Sequence, residues 1–147
     1  MTKIIIGADH GGFQLKEAIK KFLSKNGYQF EDVGNTVYDP NDDYVDYAEK
    51  VARKAVKERA LGILLCRSAA GMVMAANKIN GVRAVAAFDV KSAVHSRQHN
   101  DANVLALSGD WLSAKKACDI LKAWIETKFS GEGRHKRRVE KIRRLEQ

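Results

Sequence analysis

Short apolar runs alternate with longer amphipathic stretches along all 147 residues, and this alternation constrains the fold more than any other feature. The apolar runs have the length of buried strands, and the amphipathic stretches have the period of helices. Strands that alternate with helices form a parallel sheet with helices on both faces. We expect strands at 3–8, 28–33, 62–66, 83–88 and 103–106. We expect helices near 12–26, 44–59, 70–78, 89–99 and 113–129, and a basic C-terminal helix from about residue 133.

The predicted fold class is therefore α/β, with a single doubly wound, Rossmann-like sheet of five parallel strands in one domain over 1–147. A hydrophobic fraction of 45% and a charged fraction of 30% are typical of globular proteins and exclude disordered and fibrous classes. No apolar run approaches the roughly 18 residues of a membrane helix, and the first residues lack the pattern of a signal peptide. We expect a cytoplasmic protein with no membrane partner.

The basic residues are concentrated at the C-terminal end of the chain. The net charge is +8, and the segment from Gly133 holds seven basic residues against two acidic ones, which is +5 of that total. Arg134 and Arg138 are four residues apart on one helical face, a spacing that suits two contacts to one phosphate. A solvated basic face and a nucleic-acid site are the alternatives. Since the cluster has few interleaved aromatics, we expect no nucleic-acid partner.

Ligands of doubly wound sheets bind beyond the carboxyl ends of the strands, and two segments there could carry chemistry. After the first strand, Asp9 and His10 precede two glycines and a helix N-terminus, which favours anions such as phosphate. Asp9 as a helix cap and the glycines as turn residues are an equally open interpretation.

After the third strand comes Cys66, followed by small residues that open a helix. We expect the helix end to lower the pKa of this thiol and to make it a base or nucleophile. An inert buried cysteine is the alternative, and it suits Cys118. The two cysteines lack the spacing of a zinc site or a disulfide framework. A cysteine phosphatase is excluded, because the position of its phosphate-binding arginine is Met72.

His99 and Asn100 end the fourth helix near the same edge of the sheet, where an imidazole can act as an acid or base. His95 lies one turn earlier, as in metal-binding histidine pairs, but the sequence offers no third ligand. No metal is therefore expected at this pair, and the sequence specifies no nucleotide cofactor, because it carries neither of the glycine-rich motifs that bind nucleotides.

Together these segments resemble the type B ribose-5-phosphate isomerases and the related galactose-6-phosphate isomerase subunits, from Ile4 to about Arg138. The most specific blocks of the resemblance are Asp9-His10-Gly11, Gly62-Ile63-Leu64-Leu65-Cys66, Ala75-Ala76-Asn77-Lys78, the segment from Ser96 to Leu105, and Gly133-Arg134-His135. The resemblance implies interconversion of ribose 5-phosphate and ribulose 5-phosphate through a cis-enediolate. An isomerase of a six-carbon sugar phosphate, such as allose or galactose 6-phosphate, is an alternative. A binding protein without catalysis is another.

The same resemblance implies a role for each candidate residue. Cys66 would move the proton between C2 and C1, and Ser68 would bond the sugar hydroxyls. Main-chain N–H groups of Arg67, Ser68, Ala69, Ala70 and Gly71 would hold the enediolate oxygen. The remaining roles are ring opening by His99 with Asp9, sugar positioning by Asn100, and phosphate binding by His10, Arg134 and Arg138. His99 and Asn100 would come from a second subunit, so a homodimer or a dimer of dimers is expected.

This chain differs from the family pattern in the loop after Cys66 and near Gly109. Arg67 and Ala69 replace two glycines of the usual loop, and both resist the positive φ that glycine permits. Trp111 stands at about the place of a phosphate-binding arginine. We therefore expect altered main-chain geometry after Cys66, and we hypothesise that Arg67 supplies the missing charge.

Overall fold

The computed structural model describes residues 2–146, which form a sheet of five parallel strands with helices on both faces. The strands are β1 (Ile4–Ala8), β2 (Phe30–Asp32), β3 (Leu61–Cys66), β4 (Ala84–Ala86) and β5 (Val104–Ser108). Their spatial order is β2-β1-β3-β5-β4. The three central strands are buried along their whole length, whereas the edge strands are only three residues long. Short edges leave few unpaired main-chain groups for another chain to join.

Six helices connect and cover the strands: α1 (Phe13–Lys25), α2 (Tyr44–Glu58), α3 (Ala70–Ala76), α4 (Val90–Asn100), α5 (Ala114–Glu126) and α6 (Gly133–Arg143). A short 3₁₀ turn over residues 10–12 precedes α1. Helices α1, α4 and α5 cover one face of the sheet, and α2 and α3 cover the other. The basic helix α6 packs on α4.

Alternation along the strands supplies both cores. Ile4 and Ile6 pack under α1 and α5, whereas Ile5 points to the opposite face and packs against α2. This is the two-residue period of a strand, and because both faces are covered, the strand reads as a continuous apolar run. The fully buried Trp124 of α5 completes the first of these cores.

The predicted α/β class, the five parallel strands and the basic C-terminal helix are confirmed, while several element ends differ. Strand β5 continues to Ser108, two residues beyond the prediction, because Leu107 and Ser108 still pair with β3. Helix α3 ends at Ala76, two residues earlier than predicted. The side chain of Asn77 accepts from the Ala84 N–H at 2.8 Å and donates to its carbonyl at 2.9 Å, which ties the helix end to β4.

The strand order reverses between β1 and β3, and this position fixes where a ligand can bind. From β1 the chain adds β2 on one side and β3 on the other, and the register pairs Ala8 with Leu65. The carboxyl ends of β1 and β3 are therefore neighbours, and connections leave them toward opposite faces. Such a point opens a crevice in doubly wound sheets, and here Asp9 and Cys66 lie on either side of it.

Within residues 2–146, none of the helices is both long enough and apolar enough to cross a membrane.

Candidate active site

Cys66 ends β3 with its sulfur against the main chain of the loop that follows. The thiol is 5% exposed, and the N–H of Ala69 donates to Sγ at 3.2 Å. The N–H groups of Met72 and Ser68 also favour the charged thiolate. The loop thus directs main-chain donors at the sulfur, where they favour the negative charge of a thiolate.

Burial nevertheless raises the pKa of the Cys66 thiol above its ordinary value, and the nearby Asp9 carboxylate raises it further. The main-chain N–H groups lower this pKa, but they do not outweigh burial. The expectation of a lowered pKa at a helix end is therefore wrong. Helix α3 has only seven residues, and the thiol lies in the apolar core between α2 and α3. Loss of hydration disfavours the charged form more than the short helix favours it.

Asp9 follows β1 and faces the same crevice. Its carboxylate is 5% exposed, and Oδ1 accepts from the Gly12 N–H at 3.2 Å, so the helix-cap interpretation is also correct. Burial raises the pKa of Asp9, while hydrogen bonds from the turn and the neighbouring His10 lower it. The cap does not exclude a functional role, because the same carboxylate lies close enough to Cys66 for its charge to act on the thiol.

His10 is held by Asp42, a residue of the long connection before α2. Oδ1 of Asp42 lies 2.7 Å from Nδ1 of His10 and accepts from the His10 main-chain N–H at 3.0 Å. The Asp42 side chain is 4% exposed, whereas His10 is 23% exposed. The histidine ring is thus held by Asp42 at Nδ1, while its side chain remains partly exposed.

Three connections at the carboxyl edge are joined through their main chains. The N–H of Gly109 donates to the Cys66 carbonyl at 2.7 Å, and the Ser108 hydroxyl donates to the Arg67 carbonyl. A Cβ on Gly109 would lie less than 3.0 Å from the Gly11 carbonyl oxygen. The loops after β1, β3 and β5 therefore contact one another so closely that no side chain fits between them.

The loop after Cys66 adopts a conformation typical of glycine even though it holds Ala69. This residue is fully buried and has φ of 72°. The expectation that alanine would avoid positive φ is therefore wrong at this position. The strained backbone directs the Ala69 N–H at the sulfur. Arg67 keeps a negative φ, is exposed, and lies 3.5 Å from the Asp110 carboxylate.

A second group of candidate residues lies on α4 and α6. The rings of His95, His99 and His135 form a column, with centroid distances of 4.0 Å for the first pair and 4.2 Å for the second. His135 is buried and its Nδ1 lies 2.7 Å from the Ser130 hydroxyl. Loss of hydration lowers the pKa of His99, and the two neighbouring histidines lower it further. A neutral imidazole is suited to proton transfer near neutral pH.

The remaining candidates are close to this second group. Arg134 and Arg138 are exposed on α6, and Arg134 lies 3.9 Å from the Glu132 carboxylate. Asn100 lines a groove of about 770 Å³ that also contains Ile142 and Leu145 but not Cys66. Among residues 2–146, no hydrogen bond, ion pair or ring contact joins this group to the Cys66 group.

The predicted site residues therefore form two groups within one chain. The first, at the β1 and β3 ends, comprises Asp9, His10, Cys66, Arg67, Ser68, Ala69, Ala70 and Gly71. The second, on α4 and α6, comprises His99, Asn100, Arg134 and Arg138. The sequence did not predict that Asp42 contacts the His10 ring or that His135 contacts the His99 ring. The unusual length of the polar connection over 34–43 suggests a functional loop, but it does not distinguish Asp42 from the other aspartates there, Asp39 and Asp43.

One set of side chains offers potential metal ligands. Single ligand atoms of Asp9, His10 and Asp42 all lie within 4.8 Å of one another. His10 and Asp42 already form a hydrogen bond through atoms that a cation would need. The arrangement is better described as a hydrogen-bonded pair beside a carboxylate.

Comparisons with known proteins find relatives and similar structures over nearly the whole chain. The family model described as Ribose/Galactose Isomerase matches residues 4–142. The ribose-5-phosphate isomerase B of Escherichia coli is 43% identical over 148 residues, covering 100% of this chain and 98% of the relative. A probable ribose-5-phosphate isomerase B of Mycoplasma genitalium is 41% identical over 145 residues, covering 97% and 95%. The solved structure of ribose-5-phosphate isomerase B from Mycoplasma genitalium with bound ribulose-5-phosphate superposes with a TM-score of 0.94 at 40% identity, covering 98% of this chain and 95% of the other.

Proposed function

The chain belongs to the ribose/galactose isomerase family and is an aldose–ketose isomerase, and we propose that it interconverts ribose 5-phosphate and ribulose 5-phosphate with Cys66 as the base. The observation that carries the base assignment is the position of Sγ, which faces the Asp9 carboxylate and accepts from the Ala69 N–H at the switch point of the sheet. The relatives named for ribose 5-phosphate cover nearly the whole chain. They favour the five-carbon substrate over the six-carbon alternative.

The chemistry requires one proton to move from C2 to C1 and a second proton to move from the C2 hydroxyl to O1. The Cys66 thiolate takes the proton from C2 of the open-chain aldose, and the electron pair of that C–H bond forms the enediolate, with the negative charge on O1. The main-chain N–H groups after Cys66 stabilise this oxygen. The thiol then returns the proton to C1, while the proton of the C2 hydroxyl passes to O1 with Ser68 hydrogen-bonded to both oxygens, which leaves the ketone at C2.

Cys66→Ala tests the base assignment directly. We expect the variant to bind substrate but to lose exchange of the C2 hydrogen with solvent, because no other thiol lies at this position. Exchange is measured by NMR in deuterated water, with Cys118→Ala as the matched control that keeps wild-type exchange. Wild-type exchange in Cys66→Ala would contradict the assignment.

We further propose that α4 and α6 of a second subunit complete the site. In this proposal ring opening needs the His99 imidazole, and phosphate binding needs the Arg134 and Arg138 guanidinium groups. Within residues 2–146, no hydrogen bond, ion pair or ring contact joins these groups to Cys66. A symmetric dimer brings one subunit's second group to its partner's first group.

Mixed dimers of two inactive variants test this sharing. Cys66→Ala and His99→Ala subunits are unfolded and refolded together, and a shared site restores about a quarter of wild-type turnover, because half of the dimers are mixed and each has one intact site. Each variant refolded alone is the control. A mixture with no turnover, although mixed dimers are present by mass, would contradict the sharing of sites between subunits.

Arg67 is proposed to contribute the charge that Trp111 does not. Its guanidinium lies 3.5 Å from Asp110 and is 66% exposed, so it can turn toward a bound phosphate at little cost. Arg67→Gly should raise KM more than it lowers kcat. The control variant Arg53→Gln, which removes an exposed arginine from α2, should change neither. Unchanged kinetics in Arg67→Gly would exclude this role.

The substrate itself is tested by turnover on a panel of sugar phosphates. We expect kcat/KM for ribose 5-phosphate to exceed the values for allose 6-phosphate and galactose 6-phosphate. The opposite order would favour the six-carbon alternative, and binding without turnover on the whole panel would favour a protein without catalysis.

A further inference from the structure

We propose that Asp42 is a positioning residue that fixes the protonation pattern of His10, so that the accessible Nε2 atom is the one that meets the ligand. The inference rests on the proposed function insofar as His10 binds the substrate phosphate. It adds a residue from the connection over 34–43 to the site.

The geometry of the pair carries the inference. One carboxylate oxygen, Oδ1 of Asp42, lies 2.7 Å from Nδ1 of His10 and 3.0 Å from its main-chain nitrogen. A main-chain nitrogen only donates, and an ionised carboxylate only accepts. Because this oxygen already accepts from the main-chain N–H, the proton of the side-chain contact belongs to Nδ1 of His10. Both the position and the rotation of the ring are therefore set by one carboxylate.

The burial of Asp42 increases the contribution of its contact with His10 to stability. The Asp42 side chain is 4% exposed, and its second oxygen, Oδ2, is buried without a hydrogen-bond partner among the described residues. A buried carboxylate with a poorly satisfied oxygen costs free energy unless its charge is compensated. His10 provides that compensation when its ring is protonated. The other charged group beside the pair is Asp9, and the Tyr47 hydroxyl also lies near enough for the Asp42 charge to raise its pKa.

The consequence concerns the opposite edge of the ring. With the proton fixed on Nδ1, Nε2 carries a second proton only in the imidazolium form, and in that form it donates to an anion. The His10 side chain is 23% exposed, and since its Nδ1 atom is held by Asp42, Nε2 is the ring nitrogen left for a ligand. A carboxylate that orients an imidazole in this way acts through the histidine and does not itself touch the ligand.

The first test is made on the wild-type protein and uses a variant only to assign signals. In protein labelled with ¹⁵N at histidine, and with the His10 signals assigned by a His10→Gln variant, NMR identifies which nitrogen carries the proton in the neutral ring. We expect Nδ1. A neutral ring with its proton on Nε2, or an equal mixture of the two forms, would overturn the assignment.

The second test compares Asp42→Ala with Asp46→Ala, which removes an exposed carboxylate from the first turn of α2. Inorganic phosphate is titrated into each protein while the His10 signals are followed. We expect phosphate affinity to fall about tenfold in Asp42→Ala, because a charge-assisted contact is lost, and the neutral His10 ring to move its proton toward Nε2. Asp46→Ala should match the wild type. In turnover, Asp42→Ala should raise KM more than it lowers kcat.

Two results distinguish failure of this inference from failure of the proposed function. If Asp42→Ala binds phosphate as the wild type does, the positioning role is wrong even when turnover is normal. If phosphate leaves the wild-type His10 signals unmoved, the proposed phosphate role of His10 is wrong, while the position of the ring proton still decides the role of Asp42.

Discussion

The Cys66 thiol should titrate above the ordinary range for cysteine, although it is the proposed base. The sulfur is 5% exposed in the core between α2 and α3, and burial is the main cause that raises its pKa. The Asp9 carboxylate adds to this effect, because a second negative charge nearby disfavours the thiolate. The Ala69 N–H at 3.2 Å opposes both causes without reversing them.

The magnitude follows from the ordinary cysteine pKa of about 8.5, which leaves roughly 3% of thiols ionised at pH 7. A raised pKa means that less than this fraction is ionised in the free protein. The thiolate population, and with it kcat/KM, should then rise about tenfold between pH 7 and pH 8, as expected for an acid far below its pKa. The expected profile has no plateau below the ordinary cysteine pKa.

Ultraviolet absorbance of the thiolate measures this directly. The titration is performed in a Cys118→Ala background, and the absorbance of the same protein with Cys66→Ala is subtracted. Asp9→Asn in that background removes the carboxylate that disfavours the thiolate, so it should move the titration to lower pH. A Cys66 titration that is complete below pH 8 would refute the reasoning, because it would show that main-chain donors outweigh burial.

Three further predictions concern other parts of the chain. Gly12→Ala should destabilise the protein by at least about 2 kcal/mol in urea unfolding, because its Cβ would meet main-chain atoms of β3; a loss below 0.5 kcal/mol would contradict this. Replacing Lys16 by Met should lower the free energy of unfolding by about 3 kcal/mol, because Lys16 is fully buried and its Nζ lies 3.0 Å from both Asp32 carboxylate oxygens. Burial opposes ionisation of Asp32, but hydrogen bonds from Lys20, the Gly34 N–H and Lys16 lower its pKa. The stabilisation of the fold by the ionised Asp32 is therefore present above the ordinary carboxyl pKa of about 3.9 and is lost as pH falls toward the lower pKa of the folded state. Unfolding curves at pH 6 and pH 3 measure this loss. His95→Leu should raise the pKa of His99 in an NMR titration, because the charge of the neighbouring His95 ring no longer lowers it. An unchanged or lower His99 pKa would contradict this effect of His95.

The sheet and the position of the first site group could be predicted from the sequence for a simple physical reason. In a parallel sheet all carboxyl ends lie at one edge, so residues that directly follow apolar runs must be neighbours. Asp9 and Cys66 follow the two strands that the register pairs side by side. The sequence pattern therefore placed both without information on tertiary contacts.

The sign of the Cys66 pKa shift could not be predicted, because it depends on burial and on a carboxylate from another strand. The sequence shows a cysteine before a helix, but it does not show that the helix has only seven residues or that Asp9 approaches the sulfur. Asp42 was missed for a related reason. Its contact with His10 spans 32 residues and depends on the path of an irregular connection, which no periodic pattern specifies.

The close approach of Gly11 and Gly109 bears on how the substrate range of this enzyme can evolve. Because the loops after β1, β3 and β5 touch through main-chain atoms, a longer side chain or an inserted residue there would separate Cys66 from its donors. In the proposed site, room for a longer sugar would have to come from the connection over 34–43 or from α4 and α6, because the main-chain contacts beside Cys66 leave no space for it.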